Sequence, residues 1–129
     1  MEDAREHRAR SARDRDFADD LSSRDPRTDW ELVVCFYAAL HLTQAYLLTK
    51  DQRFEAKRHD ERRKAIKASP ELTRGNRFPL AYRWLQDVSE QVRYDPGFRA
   101  QLTHFTAAHD KLSIVRSFLE GKLTRALGS

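Results

Sequence analysis

The chain has 129 residues, of which 40% are hydrophobic and 34% charged, with a formal net charge of +4; this size and balance suit one helical domain and leave no room for a second. Its single cysteine excludes an internal disulfide framework and a zinc cluster built from cysteines. The charge is local: residues 53–67 hold seven basic groups against three acidic ones, so the rest of the chain sums to zero. A patch of this kind attracts polyanions, although a solvated helix face carries the same signature.

Residues 1–21 interleave Arg, Asp and Glu with Ala4, Ala12, Phe17, Ala18 and Leu21. The pattern predicts a charged helix whose C-terminal half alone has an apolar face, whose first turns fray, and which needs a surface to dock on. Pro26 breaks it, since proline donates no backbone hydrogen bond and disfavours helical geometry just before it. Thr28 or Asp29 can cap the next helix.

Residues 29–49 are apolar on nearly every side, which predicts a central helix that must be covered all round, by its neighbours or in part by another protomer. The longest apolar run within it, residues 32–40, is short of the ~18 residues expected for a membrane span. Cys35 in that run reads as a buried thiol, and the charged N-terminus is unlike a signal segment, so the expected location is the cytoplasm, away from membranes.

A basic helix over residues 57–68 comes next, then a linker punctuated by Ser69-Pro70 and Gly75-Asn76. Residues 79–92 place Tyr82, Leu85, Val88 and Val92 at helical spacing, with Trp84 widening the buried surface. Tyr94-Asp95-Pro96-Gly97 is a turn signal, because Pro96 and Gly97 supply the restricted and permissive backbone that turns require. The last helix, residues 98–127, aligns Leu102, Phe105, His109, Leu112, Val115 and Leu119 on one face. The expected fold is therefore all-α: a compact bundle of about five helices around a central apolar helix. It forms a single domain over residues 1–129, with 1–21 as an N-terminal charged helix and 29–127 as the core.

The most informative local pattern is Phe36-Tyr37-Ala38-Ala39-Leu40-His41, followed by Gln44-Ala45-Tyr46-Leu47. Asp29-Trp30 precedes it; His59-Asp60-Glu61-Arg62, Tyr82-Arg83-Trp84-Leu85 and Val92-Arg93-Tyr94 follow in order. Over residues 29–95 this series resembles HEPN domains. The resemblance implies a small helical bundle that dimerises, and in many members a metal-independent RNA endonuclease of toxin–antitoxin, antiviral or CRISPR settings. Other members are non-catalytic modules that bind a nucleotide, RNA or a partner such as a nucleotidyltransferase-type antitoxin.

The catalytic form of such domains carries an Arg followed after four to six residues by a His, usually with a polar residue just after the Arg. Paired across two protomers, the imidazoles assist attack by the 2′-hydroxyl or departure of the leaving group while the guanidiniums stabilise charge on phosphorus. Arg99-Ala-Gln-Leu-Thr-His104 has this spacing at the opening of the last helix, with Ala100 in place of the polar neighbour, and Arg53 to His59 has it with Phe54 there. His59, with Arg62 one turn on, is a candidate contact for phosphate in either case, as are Arg53, Lys57, Arg58 and Arg63 around it.

Tyr37 and His41 lie one turn apart and form either a satisfied core pair or the wall of a pocket or dimer interface. Arg93-Tyr94 at the end of its helix belongs to the same candidate pocket, although an Arg there also suits the helix dipole. His109 reads as packing and His7 as solvent-exposed. Trp30, Phe36, Tyr46 and Trp84 fall at core positions rather than on a base-stacking platform. His59 with Asp60 or Glu61 lacks a second group of ligands at usable spacing, so neither a metal nor another cofactor is expected.

Overall fold

A computed structural model describes residues 3–54, 58–74 and 77–128. They form six helices: α1 (Ala4–Ser22), α2 (Trp30–Lys50), α3 (His59–Lys67), α4 (Pro70–Thr73), α5 (Phe78–Tyr94) and α6 (Leu102–Leu127), with no strand among the described residues. The all-α bundle around a central apolar helix is what the hydropathy pattern requires. The additional helix, α4, falls in the expected linker, where Pro70 opens a first turn in which its missing N–H would have had no partner.

α2 is the axis of the bundle. By length and composition it could cross a membrane, yet most of it is buried inside the fold. α1 lies antiparallel to it: His7 meets His41, the Ser11 hydroxyl donates to the Ala38 carbonyl at 2.6 Å, and Asp19 faces His109 beside Glu31. α6 runs parallel to α2, with His109 against Glu31 near one end and Lys122 and Arg125 bordering the same pocket as Tyr46 and Lys50 near the other. α5 returns antiparallel to α6, bringing Phe78 against Phe118 with ring centroids 5.8 Å apart. α3 bridges α2 and α5 through hydrogen bonds from Arg62 to Gln44 and from Arg63 to Gln86.

Several local expectations are corrected. α1 is helical from Ala4 rather than frayed, because Asp3 caps it by accepting from the Arg5 N–H at 2.8 Å and Arg5 donates to the Leu127 carbonyl. α6 starts at Leu102 rather than at 98, since the preceding residues continue the turn: Asp95 accepts from the Gly97 N–H at 2.9 Å and the Phe98 N–H at 3.1 Å. Leu102 is 69% exposed and Trp30 51% exposed, so neither belongs to the core. Both stand in the first turn of their helices. At the far end Gly128, with φ of 79°, takes the left-handed conformation that closes α6, and its N–H reaches the Thr124 carbonyl at 2.8 Å.

Candidate functional site

Three helices carry polar side chains to one stretch of α2. Tyr37 and His41 sit one turn apart on α2, half-buried where the surrounding residues are fully covered, with ring centroids 6.4 Å apart. Below them Phe36 is wholly buried and holds the site's floor: its ring lies 5.5 Å from that of His59 and 5.7 Å from that of Tyr82. Packing thus fixes α3 and α5 against the same turn of α2 that presents Tyr37.

From α5, Arg93 donates through Nη1 to the Tyr37 hydroxyl at 3.3 Å, and its guanidinium stands 5.8 Å from the Tyr37 ring and 5.1 Å from the Tyr94 ring. Its Nε bonds the Ser89 carbonyl at 3.3 Å, while Nη2 is buried and has no hydrogen-bond partner. From α3, Arg62 is buried and donates to the Gln44 side-chain oxygen at 3.2 Å, and its Nη1 lies 3.4 Å from His59 Nδ1. Arg63 reaches the Gln86 amide oxygen at 3.1 Å, and the Gln86 amide nitrogen donates in turn to Glu90 at 3.1 Å.

The fourth contributor is α1. His7 is buried, not solvent-exposed, and its Nδ1 lies 2.9 Å from His41 Nδ1 with the two rings stacked. One nitrogen of that pair must accept, so the arrangement tolerates one shared proton and opposes two. Burial pulls the His41 pKa down to about 4, helped by His7 and by the charges of Arg10, Arg62 and Arg13. Burial also lowers the pKa of His59, reinforced by Arg62, Arg93 and Arg63 and opposed by Glu90. The result is neutral imidazoles among guanidiniums, with the Glu90 carboxylate acting on His59 in the opposite sense.

The remaining sequence candidates lie elsewhere or are committed to local structure. The Arg99 guanidinium donates to the carbonyls of Pro96 at 3.2 Å and Phe98 at 3.1 Å, and His104 Nδ1 accepts the Gln101 N–H at 3.0 Å, so both side chains shape the turn between α5 and α6. Arg53 and Arg58 are exposed, the latter 3.2 Å from Asp60. Lys57 lies outside the described residues. Arg62, a candidate phosphate contact with these, is 6% exposed and a buried organiser of His59 and Gln44. Among the described residues no three His, Cys, Asp or Glu side chains form a metal-holding group.

Comparison with known proteins returns no matching family model, no similar curated protein and no similar solved structure. The chemistry of the cluster is therefore the guide to what it binds. Guanidiniums from α3 and α5, an unmatched N–H on Arg93 and a phenol on Tyr37 are hydrogen-bond donors of the kind that oxyanions accept from.

Sequence reasoning places His7 at the surface, quotes Gln44 without a role and passes over Arg10 and Arg13. A signal for His7 exists: Ala4, His7, Ser11, Asp14, Ala18 and Leu21 recur every three or four residues, and all six are buried or half-buried in α1. The stripe is half polar, so a search for apolar periodicity does not find it.

His41 also sets a pH dependence. Its folded pKa of about 4 lies below the ordinary 6.5, so between these values the unfolded chain binds a proton that the folded one does not. Stability from this group is full above pH 6.5 and lost as the pH falls towards 4. Allowing for its partial exposure, the expected loss is about 1–2 kcal/mol. Urea unfolding at pH 4.5 and 7.5 reads it out, and His41→Gln should flatten the difference; an unchanged pH difference in that variant would remove His41 as its source.

Proposed function

We propose that the chain is a HEPN-like, cytoplasmic module that binds the phosphodiester backbone of RNA at the cluster formed by Tyr37, His59, Arg62 and Arg93. The observation that carries this reading is the Arg93 guanidinium, held between Tyr37 and Tyr94 with Nη2 buried and unbonded. A buried donor without an acceptor costs about 1–3 kcal/mol, and a phosphate oxygen would satisfy it with a charge-assisted bond. Three of the sequence stretches that resemble HEPN domains, around Tyr37, His59 and Arg93, supply these side chains.

A second reading, metal-independent cleavage of the bound RNA, is favoured by the lowered pKa of His59. An imidazole that is neutral at physiological pH can accept the 2′-hydroxyl proton as the oxygen attacks phosphorus; the P–O5′ bond breaks to leave a 2′,3′-cyclic phosphate, the departing 5′-oxygen takes a proton from water, and the adjacent guanidiniums stabilise the charge that gathers on phosphorus. Arg99 and His104 take no part in this assignment, and homodimerisation is not needed to assemble it.

The test is binding and cleavage of a single-stranded RNA in excess chelator by wild type and His59→Ala. Wild type is expected to bind with a steep salt dependence. His59→Ala should keep affinity within about threefold, because Arg62 and Arg93 remain, and should lose any cleavage. A wild-type protein that does not bind RNA at low salt overturns the proposal; cleavage that persists in His59→Ala removes the catalytic reading.

A further inference from the structure

α1 holds five arginines and five acidic residues, so its sequence is electrically neutral, but the helix sorts them by face. Arg10 and Arg13 act on His41, whereas Arg5, Arg8 and Arg15 line a groove on the side towards α6. Arg116 of α6 faces the same groove, which has a volume of about 570 Å³ and is bordered by one carboxylate, Glu120.

Glu120 is already committed. It accepts from Arg8 Nε at 3.1 Å and Nη2 at 2.7 Å, and Arg8 also reaches the Thr124 hydroxyl at 2.8 Å. These contacts and the bond from Arg5 to the Leu127 carbonyl pin one end of α1 to α6, while Asp19 and His109 approach at the other end. In between lie Arg15 and Arg116, two like charges on one groove. The carboxylate nearest Arg15 is its exposed neighbour Asp16, at 3.2 Å. Ala9 and Ala12 line the groove between them, so the space is not filled by long side chains.

We propose that this arginine-lined groove between α1 and α6 is a second contact track for the RNA strand bound at the Tyr37–Arg93 cluster. The inference rests on the RNA-binding reading above. α1 is the physical link: its Arg10 and Arg13 belong to the cluster side and its Arg5, Arg8 and Arg15 to the groove side, so one helix carries positive charge on both flanks. Arg5 to Arg15 spans about 15 Å along the helix axis, longer than a single phosphate and suited to a chain of them. That geometry favours a polymeric phosphate over a mononucleotide, and guanidinium forks favour phosphate oxygens.

The experiment measures binding of a 20-nucleotide single-stranded RNA and of a mononucleotide across a salt series, using the whole chain. The Arg15→Gln/Arg116→Gln variant is expected to lower oligonucleotide affinity about tenfold at low salt, and to reduce the slope of log affinity against log salt by about 1.4, from two phosphate contacts. Mononucleotide binding should be unchanged. Arg24→Gln/Arg83→Gln removes the same net charge from two exposed i,i+4 ion pairs and should leave the slope as in wild type. Circular dichroism should show the helix content of both variants intact; unfolding of the groove variant would be bypassed with the single changes Arg15→Gln and Arg116→Gln, each expected to lower the slope by about 0.7.

A groove variant with the wild-type slope overturns the track while leaving the cluster reading in place. Wild type that binds no RNA overturns both. Displacement of RNA from wild type, but not from the groove variant, by an acidic polypeptide at lower concentration than by RNA itself would assign the groove to an acidic protein partner instead, and would also overturn the track.

Discussion

Arg27→Met is expected to lower the unfolding free energy by about 3 kcal/mol, and adding Glu31→Met should recover most of that loss. Glu31 is 0% exposed although it stands in the first turn of α2. Its carboxylate accepts from Arg27 Nε at 3.1 Å and Nη2 at 2.5 Å, and it lies 2.7 Å from His109 Nε2. Arg27 is further held over the Phe105 ring, 4.6 Å from its centroid, so the pair ties the α1–α2 connection to α6. Removing the guanidinium strands a charge in the interior with one imidazole to compensate it; removing both members leaves space for apolar side chains.

Urea unfolding with an unchanged m-value gives the comparison. A single variant as stable as wild type, or a double variant no better than the single, would show that the buried carboxylate does not depend on Arg27. Cys35 Sγ lies 3.9 Å from His109 Nε2, but burial pushes its thiol up to about 12, so it stays a packed, unreactive group beside this ionic cluster.

How far these features can be read from sequence depends on whether their cause is local. α2 is legible because nearly every residue from Leu32 to Leu48 is buried and apolar, so the pattern and the packing agree. Tyr37, His41, His59, Arg62 and Arg93 are likewise visible as chemistry-bearing residues in short recognisable stretches. What the sequence does not carry is their register against one another. Arg62 looks like its exposed neighbours in a basic run, yet one turn of α3 points it at Gln44, where it is buried. His7 sits in a segment too polar to suggest burial, and its partner lies 34 residues away. Arg99 and His104 have a suggestive spacing, but the same spacing lets them serve the carbonyls and the N–H of the turn before α6. The sorting of α1 arginines into two flanks follows from helix periodicity, but its meaning emerges once α2 and α6 are in place.

Arg93→Met should separate stability from binding. In the free protein this side chain bonds the Ser89 carbonyl and the Tyr37 hydroxyl, and leaves Nη2 buried without a partner. Replacing it with an apolar chain of similar length removes an orphan donor worth about 1–3 kcal/mol of desolvation and loses the guanidinium's bonds to two neutral oxygens, a loss of similar size, so stability should stay within about 1 kcal/mol of wild type. RNA affinity should instead fall by about 10- to 100-fold, the value of a charge-assisted bond to phosphate. Arg93→Lys should recover only part of it, because an ammonium keeps the charge but has neither the planar fork nor the same match to the Tyr37 and Tyr94 rings. Thermal melting and RNA titration on the same preparations make the comparison. If Arg93 served the fold alone, Arg93→Met would melt several degrees lower and bind RNA as wild type does. If it is poised for a ligand, the melting temperature holds, affinity collapses, and Lys falls between Arg and Met in binding but not in stability.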